Sequence, residues 1–170
     1  MKKVALLFMS LLLIGGSTLF AQEDKSKRKS PARVASGTIG EAQIEINYGS
    51  PSVNGRTVYG ELEKYGKVWR AGANEATTIE FSKAVKINGQ DLEAGKYAFF
   101  VIPMQSGPWT IIFNKEAKQW GAYSYDSSKD ALKTETETST IDSVEKLTYT
   151  IEGDHIHLDW STTRLSFKVE

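Results

Sequence analysis

Between Asn47 and Glu75 the chain carries a long stretch, rich in glycine and polar groups, that holds Arg56, Tyr59, Trp69, Arg70, Asn74 and Glu75. Long irregular connections in compact domains are frequent carriers of function. The planar fork of Arg70 suits a carboxylate or a set of sugar hydroxyls. Asn74 offers both a donor and an acceptor. Glu75 can accept from hydroxyls or work as a general acid or base. A purely structural use competes with these: Arg70 and Glu75 as an ion pair that pins the loop to the domain.

Aromatic side chains form a second group. Trp120 and Tyr123, with Tyr125 nearby, lie in a glycine-containing stretch after two strongly apolar runs. Such rings stack on sugars, or they lid the open end of a sandwich. A common location with the Arg70–Glu75 loop favours the first use. Together the expected ligand set is Arg70, Asn74 and Glu75 with Arg56 and Tyr59, Trp69 and Trp120 as apolar walls, and Tyr123 beside them.

Both histidines, His155 and His157, share one face of a strand with Asp159, because alternate residues of a strand point the same way. Imidazole and carboxylate are metal ligands, but a solvated strand face beside a turn explains the three as well, and no metal site or cofactor is assigned. The chain has no Gly-x-Ser-x-Gly elbow, no phosphate-cradling loop and no dinucleotide fingerprint. Hydrolysis by paired carboxylates needs a second acid facing the first, and only Glu75 stands out. No catalytic residue is assigned.

The elements that must position these groups are strands. From Arg33 onward apolar residues recur with period two: Ile44, Ile46 and Tyr48; Thr77, Ile79 and Phe81; Leu147, Tyr149 and Ile151; Ile156, Leu158 and Trp160; Leu165, Phe167 and Val169. That alternation puts one set on a core face and the other outside. Tyr149, Trp160 and Phe167 are expected in the core. Two runs, Tyr97 to Ile102 and Trp109 to Phe113, are almost continuously apolar and read as central strands covered on both faces. Asn88-Gly89 predicts a tight hairpin turn, and Asn54-Gly55 and Gly153-Asp154 give similar signals. Helical candidates are short, around Tyr59 to Tyr65 and Ser127 to Leu132. Many short strands at regular spacing predict an all-β fold, an antiparallel β-sandwich compatible with a jelly-roll-like or Ig-like arrangement.

The chain has 170 residues, with 21 Lys and Arg against 21 Asp and Glu. A neutral balance argues against nucleic acid, whose binders carry a basic surplus. Without cysteine there are no disulfides, thiolates or zinc–thiolate sites. Residues 1–21 have a basic start, an apolar run and a small-residue end, the layout of a cleavable export signal. The run is short of the roughly 20 residues a membrane span takes, so no span is expected after cleavage. Residues 22–32 read as a polar leader and residues 33–170 as one β-rich domain, periplasmic or secreted.

Two runs are specific: Gly66-Lys67-Val68-Trp69-Arg70-Ala71-Gly72-Ala73-Asn74-Glu75-Ala76 and Gln119-Trp120-Gly121-Ala122-Tyr123. With the segments around Ser50 to Thr78, Ala94 to Tyr97 and Trp109 to Lys115, they resemble the bacterial domain-of-unknown-function family 2911. The resemblance covers nearly all of the chain from about Pro31 onward. It implies export in Gram-negative bacteria and a single β-rich domain, and it brings no activity. The leading expectation is a binding module for a small polar ligand or glycan. Its alternatives are a hydrolase-like enzyme using Glu75 and a structural or protein-interaction domain, with the oligomeric state open.

Overall fold

A computed structural model describes residues 24–170, and the expected export signal over 1–21 lies outside the described residues. Strands β1 (Ala32–Ile39), β2 (Ala42–Gly49) and β3 (Thr77–Phe81) are followed by a small hairpin, β4 (Val85–Ile87) and β5 (Gln90–Leu92). Then come β6 (Gly95–Ile102), β7 (Trp109–Asn114), β8 (Asp130–Thr136) and a long hairpin, β9 (Thr138–Glu152) and β10 (His155–Lys168). Six strands form one antiparallel sheet in the order β1-β2-β3-β6-β7-β8. The hairpin β9–β10 covers its inner face. Strand β4 joins this second layer through backbone bonds between Lys86 and Glu170. The result is the all-β antiparallel sandwich that the alternation predicts. No described helix is long and apolar enough to cross a membrane.

The alternation becomes packing. On β2, Ala42, Ile44, Ile46 and Tyr48 are buried while Gln43 and Glu45 are exposed. The inner faces of the six-stranded sheet and of β9–β10 interdigitate into one core, with Ile79, Phe99, Phe113, Tyr149, Trp160 and Phe167 among its members. In β10 the inward set changes parity, from Ile156, Leu158 and Trp160 to Leu165 and Phe167. One strand can bury both sets only if its register slips, and β10 is bulged between Asp159 and Thr163 with Ser161 at φ 56°.

The two apolar runs are β6 and β7, in the interior of the large sheet. Their second faces are covered too: Ala98, Phe100 and Ile112 pack beneath Val68, Ala122 and Tyr125. Val68 comes from the segment 50–76, and Ala122 and Tyr125 come from the segment 115–126. Asn88 and Gly89 turn the β4–β5 hairpin with φ 47° and 79°, the positive pair that a two-residue turn demands. The expected helix around Tyr59 does not form, because Gly60 sits at φ 93° and the chain closes a tight turn there instead. Near Ser127 a single 3₁₀ turn, Ser127–Lys129, is capped by Asp126 and gives way to β8.

Phe167 is buried against Phe99 and Phe113, with centroids 5.5 and 5.8 Å away. Phe167→Ala leaves a cavity at the centre of the core. It is expected to cost about 3–5 kcal/mol of stability, read as a lower midpoint in urea with an unchanged slope.

Candidate functional site

Two loops meet on the outer face of the six-stranded sheet, and backbone constraints set their positions. Ala71 is fully buried with φ 53°. Its carbonyl accepts the hydroxyls of Thr77 at 2.9 Å and Tyr149 at 2.8 Å. Two residues on, the Ala73 N–H donates to the carbonyl of Gly49 at 3.1 Å. The approach is so close that a Cβ on Gly49 would lie 2.2 Å from the Ala73 oxygen. Asn74 then takes φ 65°, a left-handed conformation that asparagine tolerates better than most residues. Ala76 N–H donates to Gln119 O, and Gly121 N–H to Asn74 O, both at 3.0 Å. Residues 70–76 and 115–126 are thus stitched side by side.

Asn74, Glu75 and Trp120 are brought together by this stitching, while Tyr123 stands against the Gly121 turn. Trp120 is 56% and Tyr123 85% exposed. Glu75 does not pair with Arg70. Its two oxygens are held by the leader, with Lys25 Nζ at 2.7 Å and Arg28 Nη1 at 2.8 Å. The Arg28 guanidinium also lies 5.9 Å from the Trp120 ring centroid, and the Asn74 amide donates to Ser30 O at 3.0 Å. Burial pushes the Glu75 carboxyl up, but the hydrogen bonds from Lys25 and Arg28 outweigh it and hold the group below the usual glutamate range. Glu75 is therefore a carboxylate, with no proton to give as a general acid.

The other expected site residues lie elsewhere. Trp69 and Tyr59 belong to an aromatic cluster of the core: Trp69 stacks on Trp160 at 5.8 Å, and Tyr59 meets Trp109 at 4.7 Å. Arg56 donates to the carbonyls of Ser52 and Val53, stapling its own turn. Arg70 runs under the Gly121 turn, where a Cβ would lie 3.8 Å from its Nη1, and its charge acts on Glu63. The histidine rings stack on each other at 5.9 Å. Both Asp159 oxygens are taken by Arg164, at 2.8 and 2.6 Å. Among the described residues no three His, Asp or Glu side chains are placed to hold a metal.

Beside Asn74 and Glu75 the outer face opens into a cavity of about 510 Å³. Its lining includes Asn47 and Thr78, which point outward from β2 and β3, and Gln119 from the second loop. Lys25, Arg28, Arg33, Lys96 and Lys118 also line it, with Glu75 as the one carboxylate among the described residues. A second hollow of about 460 Å³ continues along the same face past Glu45 and Glu80. Asn47, Thr78 and Gln119 escaped the sequence reading. The outward polar positions of β2 and β3 were its only trace of them, and any solvated strand shows the same pattern.

A separate titrating group stands at the far side of the 50–76 loop. Burial pushes the Glu63 carboxyl up to about 7, against the opposing charges of Arg70 and Arg56. An unfolded glutamate titrates near 4.5, so between those values the folded state holds a proton that the unfolded state has lost. This contribution to stability is full at the acid end of the window and declines as pH rises toward 7. In Glu63→Gln that decline is expected to shrink by roughly 2 kcal/mol, discounted for the partial exposure of the group. Urea unfolding of both proteins at pH 4.5 and 7.5 reads the difference. Gly49→Ala is expected to cost about 1–3 kcal/mol and to push the 71–76 loop off the sheet, seen as lost amide-exchange protection at Ala73 and Ala76.

No curated protein and no solved structure matches the chain. One family model does, over residues 30–169, which takes in every strand and both loops of the site but not Lys25 or Arg28. The two runs that carry the resemblance are the two loops that meet beside the cavity. The chain belongs to the family described as protein of unknown function, DUF2911.

Proposed function

We propose that this protein is an exported binding module that holds a small polar ligand or glycan in the outer-face cavity. One observation carries the reading: a concave, mostly apolar cavity of about 510 Å³, with amide and charged side chains set in its wall, sits where Asn74 and Glu75 are fixed by the backbone. Ligand sites are concave and carry a few placed polar groups. Arg28, part of the lining, stacks on the exposed ring of Trp120, so an aromatic surface stands next to the polar one. The export half of the proposal rests on the layout of residues 1–21, and it puts the ligand in the periplasm or the medium.

Paired-carboxylate hydrolysis has less support. Among the described residues Glu75 is the only acid of the lining, and it is kept ionised by its neighbours. A purely structural loop has less support too, since Glu75 pairs with the leader rather than Arg70 and an open cavity lies beside it.

Thermal unfolding of the purified protein against a panel of oligosaccharides, sugar acids and small carboxylates tests the reading. A ligand at 100 times its dissociation constant stabilises by about 2.7 kcal/mol, or several degrees in a domain of this size. The shift is expected to vanish in Asn47→Ala and Asn74→Ala with their own unfolding still cooperative. A panel that moves neither the parent nor the variants sinks the proposal.

A further inference from the structure

The bonding state of the cavity's side chains specifies a ligand class, provided that the cavity is a ligand site as proposed above. Three amides line it, and all three are half used. Asn47 donates its N–H to Glu45 at 2.7 Å, and Asn74 donates to Ser30 O at 3.0 Å. Gln119 donates to Glu116 O at 2.6 Å and to Asn114 Oδ1 at 3.3 Å. These acceptors fix which end of each amide is nitrogen. Among the described residues, none of the three carbonyl oxygens has a partner. Gln119 is only 8% exposed, and its Oε1 is fully buried and unpaired. The half-buried Asn47 and Asn74 can accept hydroxyl or amine protons from outside, whereas the Gln119 oxygen lies out of reach.

The charges are unbalanced in the opposite sense. The whole chain is neutral, yet among the described residues five cations and one carboxylate line this cavity. Lys25 and Arg28 share Glu75, and Lys96 is paired with Glu80 at 3.1 Å. Lys118, in the second loop, has no acidic partner among the described residues, whereas Arg33 leaves the edge strand β1 on the inner face, opposite Tyr48. Acceptors wanting protons beside a cation wanting an anion rule out a simple amine, which the cation would repel.

We propose that the cavity takes an acidic sugar, its oxyanion held by Lys118 and its hydroxyls donating to the carbonyl oxygens of Asn47 and Asn74. The oxyanion is a carboxylate or a phosphate, which present the same chemistry to this cation.

Isothermal titration calorimetry of the purified protein at low salt, with glucuronate, glucose 6-phosphate, glucose and inorganic phosphate, decides it. Both acidic sugars are expected to bind at least about tenfold tighter than glucose, and inorganic phosphate more weakly than glucose 6-phosphate. Lys118→Gln, at an exposed position and harmless to folding, is expected to weaken the acidic sugars by roughly 10-fold or more and to leave glucose unchanged. A preference between glucuronate and glucose 6-phosphate identifies the oxyanion. Glucose binding as tightly as the acids, unaffected by the Lys118→Gln change, overturns the anion subsite while the cavity remains a ligand site. Inorganic phosphate binding as tightly as glucose 6-phosphate overturns the hydroxyl subsite. If none of the four binds, both this inference and the ligand reading beneath it fall.

Discussion

The carbonyl of Ala71 joins the three parts of this protein. It lies in the dry interior and accepts one hydroxyl from Thr77, on the six-stranded sheet, and another from Tyr149, on the covering hairpin. A buried carbonyl without a partner is costly, so both layers and the loop must reach their places together. The left-handed backbone of Ala71 aims that oxygen inward, and it is tolerated because the two hydroxyls over-determine it. The path from Ala71 to Ala76 follows from this anchor. Gly49 adds the second restraint, since only a residue without a side chain lets Ala73 approach so near.

The location of the cavity follows from where apolar surface ends. Strands β6 and β7 carry large apolar residues on both faces, and leaving Phe100 and Ile112 in water would cost about 1.5–3 kcal/mol each. The loops supply the cover through Val68, Ala122 and Tyr125. Strands β2 and β3 present Glu45, Asn47, Thr78 and Glu80 on the same face and need no cover. The loops therefore stop at the boundary between the two halves. Their edge forms one wall of the cavity, and the polar half of the sheet forms its floor.

The leader changes the electrostatics of that boundary. Glu75 stands at the edge with 39% of its side chain exposed, where an isolated carboxylate would be well solvated. Instead Lys25 and Arg28 fold back onto it, and Arg28 gains the face of Trp120 as a second partner. The carboxylate most suited to meeting a ligand is thus neutralised from within the chain. The cavity beside it keeps a surplus of positive charge, although the protein as a whole is neutral.

Much of the architecture was legible from local pattern. Period-two alternation assigned the faces of β2, β3, β9 and β10. The parity change between Trp160 and Leu165 already contained the bulge, and Asn88-Gly89 marked its hairpin. The unbroken runs of β6 and β7 announced two covered faces, because burial on each side removes the reason for alternation. These properties are fixed by a residue and its near neighbours, so the linear order of side chains determines them. The site belongs to another level. Trp69 and Trp120 look alike in a line of text, but one is stacked in the core and the other stands in solvent. Glu75 chose Lys25 and Arg28 over Arg70, which is five positions away in the chain, because Arg70 was drawn beneath the Gly121 turn toward Glu63. Alternation says which way a side chain points but not which strand or loop lies opposite it. That choice is made by the packing of distant segments, so the sandwich was written in the sequence and the partners around its cavity were decided only when the chain closed on itself.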